Sequence, residues 1–408
     1  MLGISRWAGK GGSYRTVQRF FNAALPWTQL FWQFFKAHLF DEQHTYIIAG
    51  DEVVISKSGK HTHGLDYFFS GLENRVIKSI ALFTLSLIDV DARCSYPIRT
   101  EQIIRPPKED VKAGPQEQEA EPVRGKPGRP KGSKNHNKEP VALSRELLWV
   151  QNMLKALLER IGSLFPVRYL VLDGQFGNRP ALQMTEEVGL HLISKLRCDA
   201  ALYFPYMGEY SGRGAPRKYG ARIDYQQMPA EYLVAEELNG QLETRTYQLQ
   251  ALHRNFPQPL NVVILTRRDL RSGQFGHAIL FSSDLELSHV PMIDYYSLRF
   301  QIEFNFRAAK QHWGMEDFMN IKSVPLTNAL NLSLFMVNVS QALLPEFRQV
   351  YPKGGVLDLK AYFRAARYFE ELLKLLPQRA EVIFNPQQPG NFLPLGCIHP
   401  QKVQADSP

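Results

Sequence analysis

Cysteine is scarce in this chain. Its 408 residues include only Cys94, Cys198 and Cys397, which are odd in number and far apart. This pattern argues against a zinc ribbon or a disulfide scaffold and favours a reducing compartment. The start of the chain lacks the charged segment and apolar run of a signal peptide, so we expect none. The most apolar later stretch, 326–344, carries three asparagines, which favours a buried helix over a membrane span.

Nucleotide-binding motifs are also missing. The sequence contains no P-loop, no G-x-G-x-x-G between a strand and a helix, and no repeat, so ATP or nicotinamide chemistry has no support. The balance of charge is basic, with 48 Lys and Arg against 40 Asp and Glu. The resulting net charge of +8 favours a polyanionic partner. The length suggests two or three domains, and 44% hydrophobic residues are enough for a packed core.

A polar stripe marks the segment 292–313. This segment has no Gly or Pro and is rich in helix-forming residues, which predicts one continuous helix. On that helix Tyr296, Arg299, Glu303 and Lys310 fall within about 60° of one another. A carboxylate between two cations and a phenol suits a metal ion that holds a phosphate. The alternative is a solvated helix face with an i,i+4 Arg–Glu pair.

Aromatic residues occupy other directions of the same predicted helix. Phe300, Phe304 and Trp313 point away from the polar stripe. We expect these three side chains to anchor the helix to a hydrophobic core. Two further helices, 325–344 and 357–376, are expected to buttress it.

The first candidate acid lies within an apolar run of strand length. Asp51 stands in the middle of 45–56, and an unpaired buried carboxylate costs several kcal/mol. A divalent cation is the obvious partner, and a strand-end position or a satisfied buried salt bridge is the alternative. Strands predicted at 76–90 and 93–98 follow a polar turn. A strand-borne aspartate followed by a hairpin and another strand is typical of the opening of an RNase H-like fold.

The second candidate acid ends a later strand. An amphipathic helix is predicted at 143–161, followed by a strand and sharp turn at 167–177 that carries Asp173. Open sheets with parallel strands present ligand sites at such strand ends. The alternative role of this aspartate is to cap the next predicted helix, 179–188. A fifth strand is predicted at 191–196.

Strand patterns then fill the region before the polar helix. They are predicted at 219–225, 244–252, 260–267 and 277–283. The kinked basic loop 212–220, with Arg217 and Lys218, can grip a phosphate backbone or stack on an unpaired base. A surface hairpin tip is the alternative.

Two other segments carry basic candidates. Residues 13–22 predict a capped helix with Arg15 and Arg19 on one face. With a possible helix at 1–8 before it, this is the second helix of a helix-turn-helix, and a small helical cap is the alternative. The segment 101–142 is rich in Pro, Glu, Gln, Gly and Lys and is expected to be a mobile linker. Arg129 in its Gly-Arg-Pro core resembles an AT-hook, with a solvated basic linker as the alternative.

The order Tyr, two residues, Arg, three residues, Glu, six residues, Lys resembles a known signature. It surrounds the catalytic glutamate in IS4-type bacterial insertion-sequence transposases of the DDE superfamily. The Asp-Gly-Gln-Phe run at Asp173 resembles the surroundings of the second catalytic aspartate in that family. The resemblance covers about 45–317. It implies an α/β, RNase H-like catalytic core with a β-rich insertion before the glutamate helix.

The same resemblance implies an activity and its residues. Such an enzyme cuts DNA at the ends of its element and joins the 3′ ends to a target, using two Mg²⁺ or Mn²⁺ ions per active site. Asp51, Asp173 and Glu303 become the catalytic metal ligands. Arg299 and Lys310 become phosphate contacts, and Tyr296 contacts the same DNA backbone. The implied partners are double-stranded DNA and, in the DNA complex, a second copy of the chain.

Domain organisation follows from these assignments. The expected order is 1–40 helical DNA-binding segment, 41–100 first part of the core, 101–142 basic linker, 143–200 second part of the core, 201–290 β-rich insertion, 291–376 glutamate helix and C-terminal helices, and 377–408 tail. We expect the protein in the bacterial cytoplasm, with the nucleoid. Two rival functions are a DNA-binding regulator that no longer cuts and an RNase H-like nuclease without strand transfer.

Overall fold

A computed structural model describes residues 13–375 apart from 72, 106–139, 163, 211 and 213–215. The possible helix at 1–8, Arg129 with its AT-hook-like segment, and the tail 377–408 therefore lie outside the described residues. None of the helices in the described part is long and apolar enough to cross a membrane.

The described chain contains twelve strands and eight α-helices. The strands are β1 (Tyr46–Ser56), β2 (Asp66–Ser70), β3 (Arg75–Asp89), β4 (Cys94–Ile103), β5 (Tyr169–Val171), β6 (His191–Leu196), β7 (Leu202–Pro205), β8 (Tyr219–Arg222), β9 (Leu233–Asn239), β10 (Leu242–His253), β11 (Leu260–Asp269) and β12 (Phe275–Ser282). The helices are α1 (Tyr14–Asn22), α2 (Trp27–His38), α3 (Arg145–Ile161), α4 (Arg179–Glu186), α5 (His289–Leu298), α6 (Gln301–Trp313), α7 (Ser323–Val350) and α8 (Val356–Leu375).

The first five predicted strands form one contiguous part of a mixed sheet. Their spatial order is β4-β3-β1-β5-β6, with β1 antiparallel to β3 and parallel to β5. Strands β5 and β6 are also parallel, and β4 is antiparallel to β3. The sequence did not indicate β2, which pairs with the other half of β3. This mixed sheet with its helices confirms the RNase H-like α/β fold.

The β-rich insertion continues the same sheet. Strand β12 pairs antiparallel with β6, and β11, β10, β7 and β8 follow in order, with β9 paired to the outer side of β10. Strand β11 begins with the buried run Leu260–Ile264, as expected for a strand covered on both faces. The described insertion strands are therefore built directly onto the core.

Helices cover both faces of the sheet. The alternation of side chains along β1 determines the face on which Asp51 lies. Ile48 belongs to the hydrophobic cluster that includes α3, whereas Ile47 and Ala49 belong to the cluster that includes α6 and α7. Successive side chains of a strand point to opposite faces. Asp51 therefore shares the face of Ile47 and Ala49, where α6 packs.

The predicted single helix over 292–313 is in fact two helices. It breaks at Arg299 and Phe300, which keep helical dihedral angles while the backbone bonds tighten to three-residue spacing. The prediction that Phe300 and Phe304 anchor it to the core is wrong, since they are 44% and 42% exposed. Ile302 and Phe306 are buried instead, and each exposed ring lies two residues from Ile302, about 200° around the helix.

Candidate active site

Strand β1 brings Asp51 to the sheet face beneath α6. Asp51 lies opposite Thr84 of β3 in the antiparallel register. The preceding Gly50 has no room for a side chain, because an added Cβ would lie 2.8 Å from the Phe83 ring and 2.9 Å from Leu172. Glycine thus leaves space for these two side chains to lie over β1 just before the acid.

Burial dominates the protonation of Asp51. Its side chain is 17% exposed, and this burial raises its pKa from 3.8 to about 6. The guanidinium of Arg299 and the Glu52 backbone N–H oppose the shift, whereas the charges of Asp173 and Glu303 add to it. The last two effects indicate that all three carboxylates lie near enough to interact electrostatically.

Asp173 lies two residues beyond the end of β5, on a tight turn. Its Oδ1 accepts a hydrogen bond from the Gln175 backbone N–H at 3.2 Å, and its carbonyl oxygen accepts one from the Ser194 hydroxyl at 2.7 Å. A Cβ at Gly177 would collide with the Lys195 carbonyl oxygen, so this turn packs against the β6 backbone.

The alternative that Asp173 caps the helix predicted at 179–188 is wrong. Asn178 caps α4 by accepting a hydrogen bond from the Ala181 N–H at 3.0 Å. Asp173 caps only the short 3₁₀ turn Gly174–Phe176. Its carboxylate therefore stays at the strand end, next to β1.

Arg299 joins the first acid to the third. Its Nη1 donates to Oδ2 of Asp51 at 2.7 Å, and its Nη2 lies 3.2 Å from Oε1 of Glu303. Its side chain is only 13% exposed, and burial opposes its charge. The surrounding acids and Tyr296 outweigh that burial and raise the pKa of Arg299. Its Nε is buried and has no hydrogen-bond partner among the described residues.

Tyr296 and Lys310, the other members of the polar stripe, differ in position. Burial raises the pKa of Tyr296, while the charge of Arg299 opposes that shift, so the phenol lies beside the guanidinium. Lys310 instead donates to the Val54 carbonyl oxygen at 3.1 Å and pairs with Glu316 at 2.8 Å. The structure thus gathers Tyr296 with the acids, whereas Lys310 ties α6 to β1 and to the following loop.

The other basic candidates lie apart from this cluster. Arg15 and Arg19 are exposed on α1. Arg217 and Lys218 are exposed just before β8, where Arg217 stacks over the Tyr206 ring at 4.8 Å. Lys218 donates to the Pro257 carbonyl oxygen at 3.0 Å. The acids and these cations therefore form separate features of the chain.

The donor set suits a hard divalent cation. Carboxylate oxygens are the ligands that Mg²⁺ and Mn²⁺ prefer, and Asp51, Asp173 and Glu303 supply them on one side of the sheet. In the described part of the chain, however, no group of three or more His, Cys, Asp or Glu side chains is arranged as a metal site. Arg299 occupies one oxygen of Asp51 and one of Glu303 instead. The three carboxylates fit a cation chemically, and in this structure the guanidinium of Arg299 supplies a positive charge beside them.

A buried polar network that the sequence did not reveal holds α6 in place. Asn305 is 3% exposed and donates to the Ser95 carbonyl and hydroxyl oxygens at 3.0 and 2.8 Å. Gln341 of α7 donates to Asn305 Oδ1 at 3.1 Å. Asn338 of α7 donates to the carbonyl of Pro97. The asparagines in the apolar stretch 326–344 were the available signal, and one of them, Asn338, bonds this helix to the sheet.

Comparison with known proteins adds a family to this geometry. A family model described as DDE superfamily endonuclease matches residues 1–255. The match covers more than half of the chain and includes Asp51 and Asp173, and it ends before Glu303. No curated protein matches the chain. Enzymes of this family generally use divalent metal ions and act on DNA. The chain therefore belongs to the DDE superfamily of endonucleases.

Proposed function

We propose that this protein is the transposase of an insertion sequence of the IS4 type. It cuts double-stranded DNA at the ends of its element and joins the freed 3′ ends to target DNA. The Tyr296, Arg299, Glu303 and Lys310 spacing supports the subtype. The endonuclease family supports the broader chemistry of DNA cleavage.

One observation carries the proposal. Arg299 binds Asp51 across 248 positions of sequence and binds Glu303 one helical turn away. The charge of Asp173 acts on the same pair. Asp51 therefore experiences the negative charge of both Asp173 and Glu303, and acids that interact in this way need cations to offset their charge. A phosphoryl-transfer site has this requirement.

The residues divide the work. Asp51, Asp173 and Glu303 would hold two Mg²⁺ or Mn²⁺ ions, which would supply activation of the attacking hydroxyl and stabilisation of the leaving oxygen. Arg299 provides a planar pair of donors for a phosphodiester next to the acids. Tyr296 donates a hydrogen bond to the same backbone, and burial raises the pKa of its phenol above the ordinary value.

DNA outside the catalytic centre meets the basic residues. Lys310 contacts the DNA strand near the cut, and Arg15, Arg19, Arg217 and Lys218 bind more distant phosphates. Arg129 binds DNA through its AT-hook-like segment. Contacts of this kind give affinity that falls with salt and depends little on sequence. Two ends must be processed together, so the active form is a homodimer on DNA.

The test is a cleavage and joining assay. Purified protein is mixed with Mg²⁺ and a plasmid that carries the gene with its flanking DNA. Joined products support a transposase, cleavage without joining indicates a nuclease, and binding alone indicates a regulator. Glu303→Ala should abolish both reactions and leave DNA binding nearly unchanged, whereas Glu346→Ala, an exposed acid on α7, should retain both. Full activity of Glu303→Ala would remove Glu303 from the site.

A further inference from the structure

Arg299 lies where a bound cation would lie, between two carboxylates. The two terminal nitrogens of the guanidinium reach one oxygen from each of two acids, at 2.7 Å on Asp51 and 3.2 Å on Glu303. The second oxygen of Asp51 accepts the Glu52 backbone N–H at 2.9 Å. An ion held by Asp51 and Glu303 would compete for the two oxygens that Arg299 contacts.

The position of Arg299 is well paired but incomplete. Its side chain is 13% exposed, so its charge depends on the acids around it. Its Nε is buried with no hydrogen-bond partner in the described chain, and such a donor costs free energy. Arg299 has strong contacts with the acids but also an unsatisfied donor. It can therefore be displaced by a cation that binds the acids more tightly.

We propose that Arg299 is an internal counter-ion that competes with the divalent cation. It neutralises Asp51 and Glu303 before the metal arrives, and metal binding releases its guanidinium toward a DNA phosphate. This inference rests on the proposed function. It adds that metal binding and DNA binding strengthen each other. Either event separates Arg299 from the acids, and that separation favours the other event.

The first test measures Mn²⁺ binding to the full-length protein without DNA, by titration calorimetry. Arg299→Ala should bind Mn²⁺ about tenfold more tightly than the wild type, since a charged hydrogen-bonded pair no longer has to break. Arg299→Gln keeps most of the volume and should shift affinity in the same direction. Arg307→Ala, on the exposed side of the same helix, controls for the loss of a positive charge. Unchanged or weaker binding in both Arg299 variants would overturn the inference.

The second test adds a short DNA duplex. In the wild type the duplex should tighten Mn²⁺ binding severalfold, and in Arg299→Ala this gain should disappear. An equal gain in both proteins would show that Arg299 does not couple the two ligands.

Asp51→Asn distinguishes a failure of the counter-ion role from a failure of the metal site. It should abolish Mn²⁺ binding in the wild-type and the Arg299→Ala backgrounds alike. If Asp51→Asn abolishes binding and the Arg299 variants do not tighten it, the counter-ion role fails and the metal site stands. If the wild type and all variants bind no Mn²⁺, or Asp51→Asn binds it normally, the proposed metal site fails and the counter-ion role fails with it.

Discussion

The core half and the insertion half of the sheet hold their charged side chains in different ways. Beneath α6, Asp51 and Arg299 are 17% and 13% exposed and bind each other directly. At the far end of the sheet, Arg217 is exposed and stacks on Tyr206. A buried charge must have a fixed partner, whereas an exposed one acts through a field that salt screens. Under the proposed function, this comparison predicts chemistry at β1 and α6, and general DNA affinity at the loop before β8.

The largest expected effect is a loss of DNA cleavage that distinguishes the two faces of β1. Asp51→Asn should lower DNA cleavage by more than about a hundredfold, because even residues that only support metal ligands cost 10- to 100-fold. Glu52→Gln changes the neighbouring residue, which points to the opposite face, and should keep most of the activity. Initial cleavage rates measure both. Equal losses in the two variants would contradict the assignment of faces.

The raised pKa of Asp51 predicts an effect of pH on stability. Its pKa is about 6 in the folded protein, above the ordinary 3.8, so the folded state binds the proton more tightly than the unfolded state. This contribution is fully present below about pH 4 and is lost as pH rises to about 6, by up to about 3 kcal/mol. Urea unfolding in EDTA measures it as the difference between wild type and Asp51→Asn. A difference that does not decrease over this range would show that Asp51 titrates normally.

The polar network behind the site predicts a smaller loss of stability. Asn305→Ala removes hydrogen bonds to Ser95 and Gln341 and should lower the free energy of unfolding by about 1–3 kcal/mol. Asn255→Ala, in an exposed loop, should change it by less than about 0.5 kcal/mol. Denaturant unfolding gives both values. A cost for Asn305→Ala as small as that of Asn255→Ala would mean that the network does not hold α6.

The smallest expected effect concerns the insertion half. The double change of Arg217 and Lys218 to Ala should weaken DNA binding equally for unrelated sequences. It should reduce the slope of log affinity against log salt by about 2. Arg160→Ala on α3 removes an exposed cation far from β8 and serves as the control. Filter binding at several salt concentrations measures the slopes. A slope unchanged in the double variant would exclude this loop from the DNA interface.

Local patterns were sufficient to predict much of the core. The apolar run around Asp51 predicted a central strand, and β6 lies at the predicted residues 191–196. These elements are visible in sequence because each is a short, largely buried run of strand length. The domain boundaries, the linker included, stay predictions, although β4 extends to Ile103 and so enters the predicted linker range.

Other features depend on partners that are distant in sequence. Helix geometry gave the common direction of Arg299 and Lys310, but not that Lys310 would bind the Val54 carbonyl. The helix break at Phe300 has no Gly or Pro to announce it. The pairing of β12 with β6 joins residues 83 to 89 positions apart, and no local pattern encodes such a contact.

The central claim is that Asp51, Asp173 and Glu303 hold divalent ions in common. Anomalous diffraction from crystals soaked in Mn²⁺ tests it most directly. We expect anomalous peaks within about 2.5 Å of carboxylate oxygens from these three residues, with Arg299 moved away from Asp51. Saturated crystals with no peak there, or with Mn²⁺ bound only elsewhere, would contradict the account.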